Sequence, residues 1–308
     1  MYSGPIIDSF LHTPWLGGED PANPRGDRVD WNDDPRLQRV LNTFHHTGSD
    51  GVHVHGMTGE EVVAKMKAVG VEKAILPAKI YYSVPAMSVR ALHDELANLT
   101  EAFEDCFKWV CTLIPPELGP ATYWDAMQNV RLVEEANTRS GLVGVHLTPS
   151  PWGTPPNHKW FYPVYAKCVE LGLAVFTYVG MPGPLWPMHP NDPAHLDEVA
   201  LAFPELKIVA HHIGDPWIDM VVRLASRHPN FHICTAAWHP KRYPAALVEF
   251  MKEKWHGTFG SEKVMFASDY PILDIEKTTA AARRLDLSEA QLSSFLYTNA
   301  LRLFWPRA

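Results

Sequence analysis

Short apolar runs alternate with amphipathic stretches eight times along these 308 residues, and that alternation leaves few architectures open. The runs span 5–12, 73–79, 107–114, 141–148, 173–180, 207–214, 231–238 and 264–272. After the first run, Val62, Val63, Met66 and Val69 fall on one helical face, and Gly70 supplies a stop. Thr58-Gly59-Glu60-Glu61 opens that helix with a capping box, in which a hydroxyl and a carboxylate satisfy free amide donors. Strand then helix, repeated, builds a parallel sheet, and eight such units match one closed (β/α)8 TIM barrel of about 250 residues. An open doubly wound sheet is the competitor, but no G-x-G-x-x-G follows the first run and no P-loop occurs anywhere. The stretch 288–304 reads as an extra C-terminal helix with Leu292, Phe295, Leu296 and Leu303 buried. No change in composition or Ser/Gly-rich linker divides residues 1–308, which are expected to form one domain.

The first run and the first helix are separated by residues 13–57, rich in Pro, Gly, Asp, Asn and Trp. A long loop after a barrel strand lies on the C-terminal, active-site face. With Trp15 and Trp31 in it, the loop reads as a lid. A formal charge of −8, from 27 Lys+Arg against 35 Asp+Glu, excludes a generic nucleic-acid binder, which needs excess cations to release counterions. The four cysteines form no C-x-x-C pair and suit a reducing compartment. Neither a signal peptide nor an apolar run of membrane-spanning length is present, so a cytoplasmic protein with no membrane partner is expected.

In a barrel, functional side chains project near the carboxyl ends of strands. Those ends carry Asp8, Phe10 and His12; His146; Tyr178; His211 and His212; Trp238 and His239; and Ser268 and Asp269. Convergence of His12, His212 and Asp269 at one rim would join two imidazoles to a carboxylate, a set suited to acid/base work or to holding a metal. Lys79, Lys241 and Arg242 sit at or beyond strand ends, where Arg242 is the better bidentate partner for a substrate carboxylate. Trp152, Trp160, Trp186, Trp217 and Trp238, with Phe10 and Tyr178, supply aromatic walls for a planar or cyclic molecule. His45-His46 and His53-Val54-His55 in the long loop are substitute metal donors.

The order of these motifs resembles the amidohydrolase-related (amidohydrolase 2) family, which includes aminocarboxymuconate-semialdehyde decarboxylase. The resemblance runs through I-I-D-x-x-x-H at Ile6 to His12, Met57-Thr58, Ala68 to Ala74, Tyr162-Pro163-Val164-Tyr165, Glu170-Leu171-Gly172, His212-Ile213-Gly214, Phe266 to Pro271, and Asn299 to Phe304. It implies a (β/α)8 barrel, often dimeric. In the family a metal is held by a D-x-H-x-H pair, a strand-five His and a strand-eight Asp, while a strand-six His acts as acid or base. Here Phe10 stands at the first His of D-x-H-x-H and Tyr178 at the strand-five His, leaving His12 and Asp269.

Zinc in a catalytic site takes three protein ligands and an open position, and a phenylalanine offers no lone pair. The expected chemistry is therefore metal-free, with zinc or another divalent metal on His12, His212 and Asp269 as the alternative. Without a metal to acidify water, the substrate should contain an activated bond. The expected activity is hydrolysis of a C–O or C–C bond, of lactone or 1,3-diketone type, in a cyclic or aromatic carboxylated small molecule. Asp269, His212 and His12 are its catalytic residues; Tyr178, Phe10, His146, His239, Lys79, Arg242 and Trp152 are its substrate contacts. The alternatives are decarboxylation of an aromatic or dienoic acid and a non-catalytic binding barrel, with a homodimer expected in each.

Overall fold

A computed structural model describes residues 2–12, 58–78, 86–116, 123–255, 257–270 and 272–306. The strands are β1 (Ile6–Asp8), β2 (Val71–Pro77), β3 (Phe107–Thr112), β4 (Leu142–Leu147), β5 (Ala174–Tyr178), β6 (Lys207–His211), β7 (Phe231–Cys234), β8 (Lys254–Trp255), β9 (Thr258–Phe259) and β10 (Val264–Met265). β8 and β9 form a small antiparallel hairpin; the other eight form one parallel sheet in chain order. Backbone bonds from Ser9 N–H to the Phe266 carbonyl (2.9 Å) and from Asp269 N–H to the Phe10 carbonyl (3.0 Å) join the last strand to the first. The expected (β/α)8 barrel is thereby formed. The expected lid, with Trp15, Trp31 and the histidines at 45, 46, 53 and 55, lies outside the described residues, as does Lys79.

Alternation along the strands separates two cores. Ile7, Ile75, Val110, Phe176, Val209, Cys234 and Met265 fill the barrel interior. Ile6, Leu76, Trp109, Val145, Val175, Ile208 and Ile233 face outward, toward the helices. The first of these helices, Gly59–Ala68, begins with the capping box read from the sequence: Thr58 Oγ1 accepts from Glu61 N–H, and Glu61 Oε2 accepts from Thr58 N–H.

The C-terminal segment is helical at Glu289–Ser293, makes one π turn over Ser294–Thr298, and resumes helically at Asn299–Phe304. Leu292, Phe295 and Leu296 are buried as expected. Leu303 is only partly buried, because Ala300 and Phe304 take the inward positions instead and close the amino end of the barrel. The Phe304 and Phe176 ring centroids are 5.5 Å apart there. Asn299 Nδ2 donates to the Ser261 and Val264 carbonyls, pinning the start of β10 to this plug. With one end plugged, the carboxyl ends of the strands are left as the mouth.

Candidate functional site

Register sets the levels of the mouth. Tyr178 on β5 pairs with His211 on β6, while His146 on β4 pairs with Phe176, two residues deeper. Each of these lies on the inward parity of its strand, which brings them to one cluster. His146 Nε2 and His211 Nε2 are 2.9 Å apart, so one nitrogen donates and the other accepts. Both imidazoles are fully buried. Phe10 sits among them, its ring centroid 4.7 Å from that of His211, 5.4 Å from His12, 5.5 Å from His146 and 6.1 Å from His212.

Across the rim, His12 Nε2 lies 2.8 Å from Asp269 Oδ1. Asp269 is fully buried and the His12 side chain is 16% exposed, so the imidazole is the side of this pair that opens outward. His212 Nδ1 meets the Ala236 carbonyl at 3.0 Å. A carbonyl only accepts, so Nδ1 carries a proton, and in the neutral form of the ring Nε2 is the acceptor nitrogen. The Tyr178 ring lies 4.1 Å from that of His212, and its hydroxyl accepts from Gly183 N–H at 3.1 Å. The loops after β5 and β6 cross at Gly180 (φ +87°), where a Cβ would come within 2.6 Å of the Asp215 carbonyl oxygen.

Backbone strain concentrates at this mouth. Among the described residues, the non-glycine positions with left-handed φ are His212 (73°), Ile213 (54°), Ala237 (62°) and Asp269 (57°), all just beyond the ends of β6, β7 and β10. Each costs about 1–2 kcal/mol. Such strain persists where surrounding bonds over-determine the conformation, and it clusters at functional sites.

Asp8 supplies one such constraint. Its Oδ1 accepts from Ser268 N–H (3.0 Å) and Phe10 N–H (3.2 Å), and its Oδ2 accepts from Ser268 Oγ (2.5 Å). Complete burial pushes its carboxyl up to about 7, against the pull of those donors and with a small further push from Asp269.

The structure brings together His12, His212, Asp269, Tyr178, Phe10 and His146 at or beneath the mouth. Phe10 and His146 are fully buried and form its floor. Trp152 is not among them. It ends a short helix (Pro149–Trp152), is 1% exposed and packs on Phe161 in the layer between strands and helices. His239 serves as a cap, its Nδ1 accepting from Lys241 N–H at 3.3 Å. Lys241 and Arg242 are exposed on the turn that follows.

Sequence reasoning passed over His211 and Asp8 as site residues. Counting by two from the inward Val209 reaches His211, so its signal was present; the family motif drew attention to the neighbouring His212 instead. Asp8 had its place at a strand end and as the Asp of the I-I-D-x-x-x-H run, but neither pointed to Ser268.

Two of the positions that the resemblance gives to metal ligands carry Phe10 and Tyr178 instead. Phe10 has no donor atom, and the Tyr178 hydroxyl is engaged by Gly183. Among the described residues no three or more His, Cys, Asp or Glu side chains are arranged to hold a metal ion, and the expected trio of His12, His212 and Asp269 is not so gathered. Nor is any described helix long and apolar enough to cross a membrane.

A sequence model described as Amidohydrolase matches residues 52–305. No curated protein matches the chain. Among solved structures, an uncharacterised TIM-barrel protein from Bordetella bronchiseptica is similar at TM-score 0.72 and 20% identity, covering 98% of each chain. A 5-carboxyvanillate decarboxylase from Sphingomonas paucimobilis is similar at TM-score 0.70 and 19% identity, covering 98% of this chain and 99% of its own. A dihydroxybenzoic acid decarboxylase from a Polaromonas species, solved with manganese and the inhibitor 2-nitroresorcinol, is similar at TM-score 0.66 and 16% identity, covering 100% and 98%. At these identities the likeness establishes the fold.

Proposed function

We propose, from the premise that this chain belongs to the amidohydrolase family and is an enzyme of that superfamily, that it decarboxylates a small aromatic or dienoic acid. The observation carrying this reading is the His12–Asp269 contact of 2.8 Å, made by a fully buried carboxylate beside a floor of rings. Hydrolysis, the activity expected first from the sequence, has less support, since similar structures bear the names of aromatic acid decarboxylases. A non-catalytic barrel does not accord with a superfamily of enzymes.

Decarboxylation breaks the bond between the carboxyl carbon and the ring or diene carbon. The electron pair stays on that carbon, carbon dioxide leaves, and a proton fills the vacated position. The protein must therefore hold a proton against carbon and keep the carboxylate poorly solvated. With Asp269 ionised and His12 protonated on both nitrogens, the Nε2 proton stays on the contact to Asp269 while the Nδ1 proton passes to the substrate carbon, which leaves a neutral ring still hydrogen-bonded to Asp269. The Tyr178 ring, beside His212, supplies an apolar face. The substitutions at Phe10 and Tyr178 support a reaction that runs on these side chains with little or no dependence on a divalent cation. Buried, unpaired thiols at Cys106, Cys111, Cys168 and Cys234 agree with a reducing, cytoplasmic setting.

One observation favours a second reading. The lone pair on His212 Nε2, fixed by the Nδ1 bond to Ala236, is the form of imidazole that takes a proton from water, as hydrolysis of a lactone or 1,3-diketone requires. One experiment separates the two. The purified protein is incubated in oxygen-18 water with a panel of hydroxybenzoic and dienoic acids and of cyclic lactones and diketones. Carbon dioxide released without label in the organic product supports decarboxylation. Label in the product without carbon dioxide overturns it in favour of hydrolysis.

A further inference from the structure

We propose that Asp8 is a positioning residue: gripping Ser268 from the first strand, it fixes the turn that delivers the carboxylate of Asp269 to His12. The inference rests on the reading of Asp269 as half of the proton-handling pair, and it deepens that reading.

Asp269 is held in a left-handed conformation (φ 57°) that an unconstrained aspartate seldom keeps. Its own N–H reaches the Phe10 carbonyl (3.0 Å). What holds the residues on either side leads back to Asp8. Ser268 gives both its N–H and its hydroxyl to the Asp8 carboxylate, at 3.0 Å and 2.5 Å. The same Ser268 Oγ accepts the N–H of Tyr270 (3.0 Å), spanning Asp269 from one side to the other. The Tyr270 carbonyl then accepts from His12 N–H (2.9 Å), the backbone of the very residue whose ring meets Asp269. Asp8 also holds Phe10 N–H, and Phe10 supplies the carbonyl that Asp269 uses. Both backbone approaches to the His12–Asp269 contact thus pass through one buried carboxylate.

Removing the Ser268 hydroxyl frees Tyr270 N–H and one oxygen of Asp8 together. The turn can then relax toward ordinary φ values, and a modest backbone rotation carries the Asp269 carboxylate out of hydrogen-bond range of His12. A residue that only strengthened the barrel seam would lower stability without touching that contact.

The contact is read by NMR on protein labelled with nitrogen-15 at histidine, following the imidazole N–H resonance of His12, assigned by its loss in His12→Gln and its shift in Asp269→Asn. Ser268→Ala and Asp8→Asn are expected to move this resonance most of the way to its position in Asp269→Asn. Ser268→Thr, which keeps the hydroxyl, restores it. Leu247→Ala, a buried cavity variant in the outer core, lowers the melting temperature but leaves the resonance in place. On an acid that the wild type decarboxylates, Ser268→Ala should lower kcat at least tenfold with KM within about twofold. The proposal is overturned if Ser268→Ala and Asp8→Asn fold with the wild-type His12 signal, or if Leu247→Ala shifts it equally. A shifted resonance in a protein that decarboxylates nothing leaves the positioning role standing and removes the decarboxylase reading.

Discussion

The ring of Phe10 lies on the imidazole of His211, centroids 4.7 Å apart and planes 21° from parallel. A side chain without a lone pair therefore occupies the middle of an imidazole cluster, at the sequence position where related enzymes are expected to place a metal ligand. Restoring both lost ligands is the direct test. Phe10→His combined with Tyr178→His should bind more manganese or zinc per chain than the wild type after equal exposure, measured by elemental analysis of the desalted proteins. Equal uptake by the two would mean that these strand ends were matched wrongly to the family pattern.

Asp269→Asn keeps the size of the side chain and removes its ability to carry charge or exchange a proton. Loss of a positioned acid or base typically costs about 10²–10⁴-fold in rate. Carbon dioxide release should fall within that range, and KM should change much less, since the fully buried Asp269 acts on substrate through His12. A variant with unchanged kcat would take Asp269 out of the chemistry.

The eight runs read from the sequence coincide with the eight barrel strands because a strand buried on both faces leaves a strong local mark of apolar residues between turns. The Thr58 capping box was legible for the same reason: all of its atoms lie within four residues. Asp8 was not, because its partner Ser268 is 260 positions away and no periodicity reports such a pairing. The burial of Trp152 was not legible either, because it is set by a short helix, Pro149–Trp152, whose packing partner Phe161 lies outside the run. Whether the mouth hydrolyses or decarboxylates lies beyond pattern, since both reactions use the same acid and base residues.

Two buried histidines make stability depend on acid. Burial lowers His93 to about 4 and His232 to about 3, the latter with further help from Lys263, Arg302 and Lys207. His93 Nε2 accepts from Thr112 N–H at 3.0 Å, which a protonated nitrogen cannot do. Both folded values lie below the unfolded one of about 6.5, so the stabilisation is complete above that pH and is lost as pH falls through the folded values. Each histidine contributes a slope of roughly 1.4 kcal/mol per pH unit in that window. Urea unfolding at pH 7, 6, 5 and 4 should show the decline, and His93→Gln, which keeps an acceptor for Thr112, should show a shallower one. A slope unchanged in His93→Gln would remove His93 as a source.

Trp152 distinguishes a core residue from a substrate contact. Its short helix places Ser150 against the strand-five loop: Asn191 Oδ1 accepts from Ser150 N–H (3.0 Å), and Asn191 Nδ2 donates to the Gly180 carbonyl (3.0 Å). The indole, 1% exposed, wedges this assembly against Phe161. Trp152→Ala should therefore lower unfolding free energy by about 3–5 kcal/mol, as large-to-small core changes do. Trp152→Phe, which refills most of the space, should cost less. In either variant the folded protein should keep a KM within about twofold of wild type, because the indole is buried against Phe161 in the outer core. Denaturant titration gives the first quantity and initial rates below the unfolding temperature give the second. A large rise in KM with little loss of stability would move Trp152 from the core to the substrate.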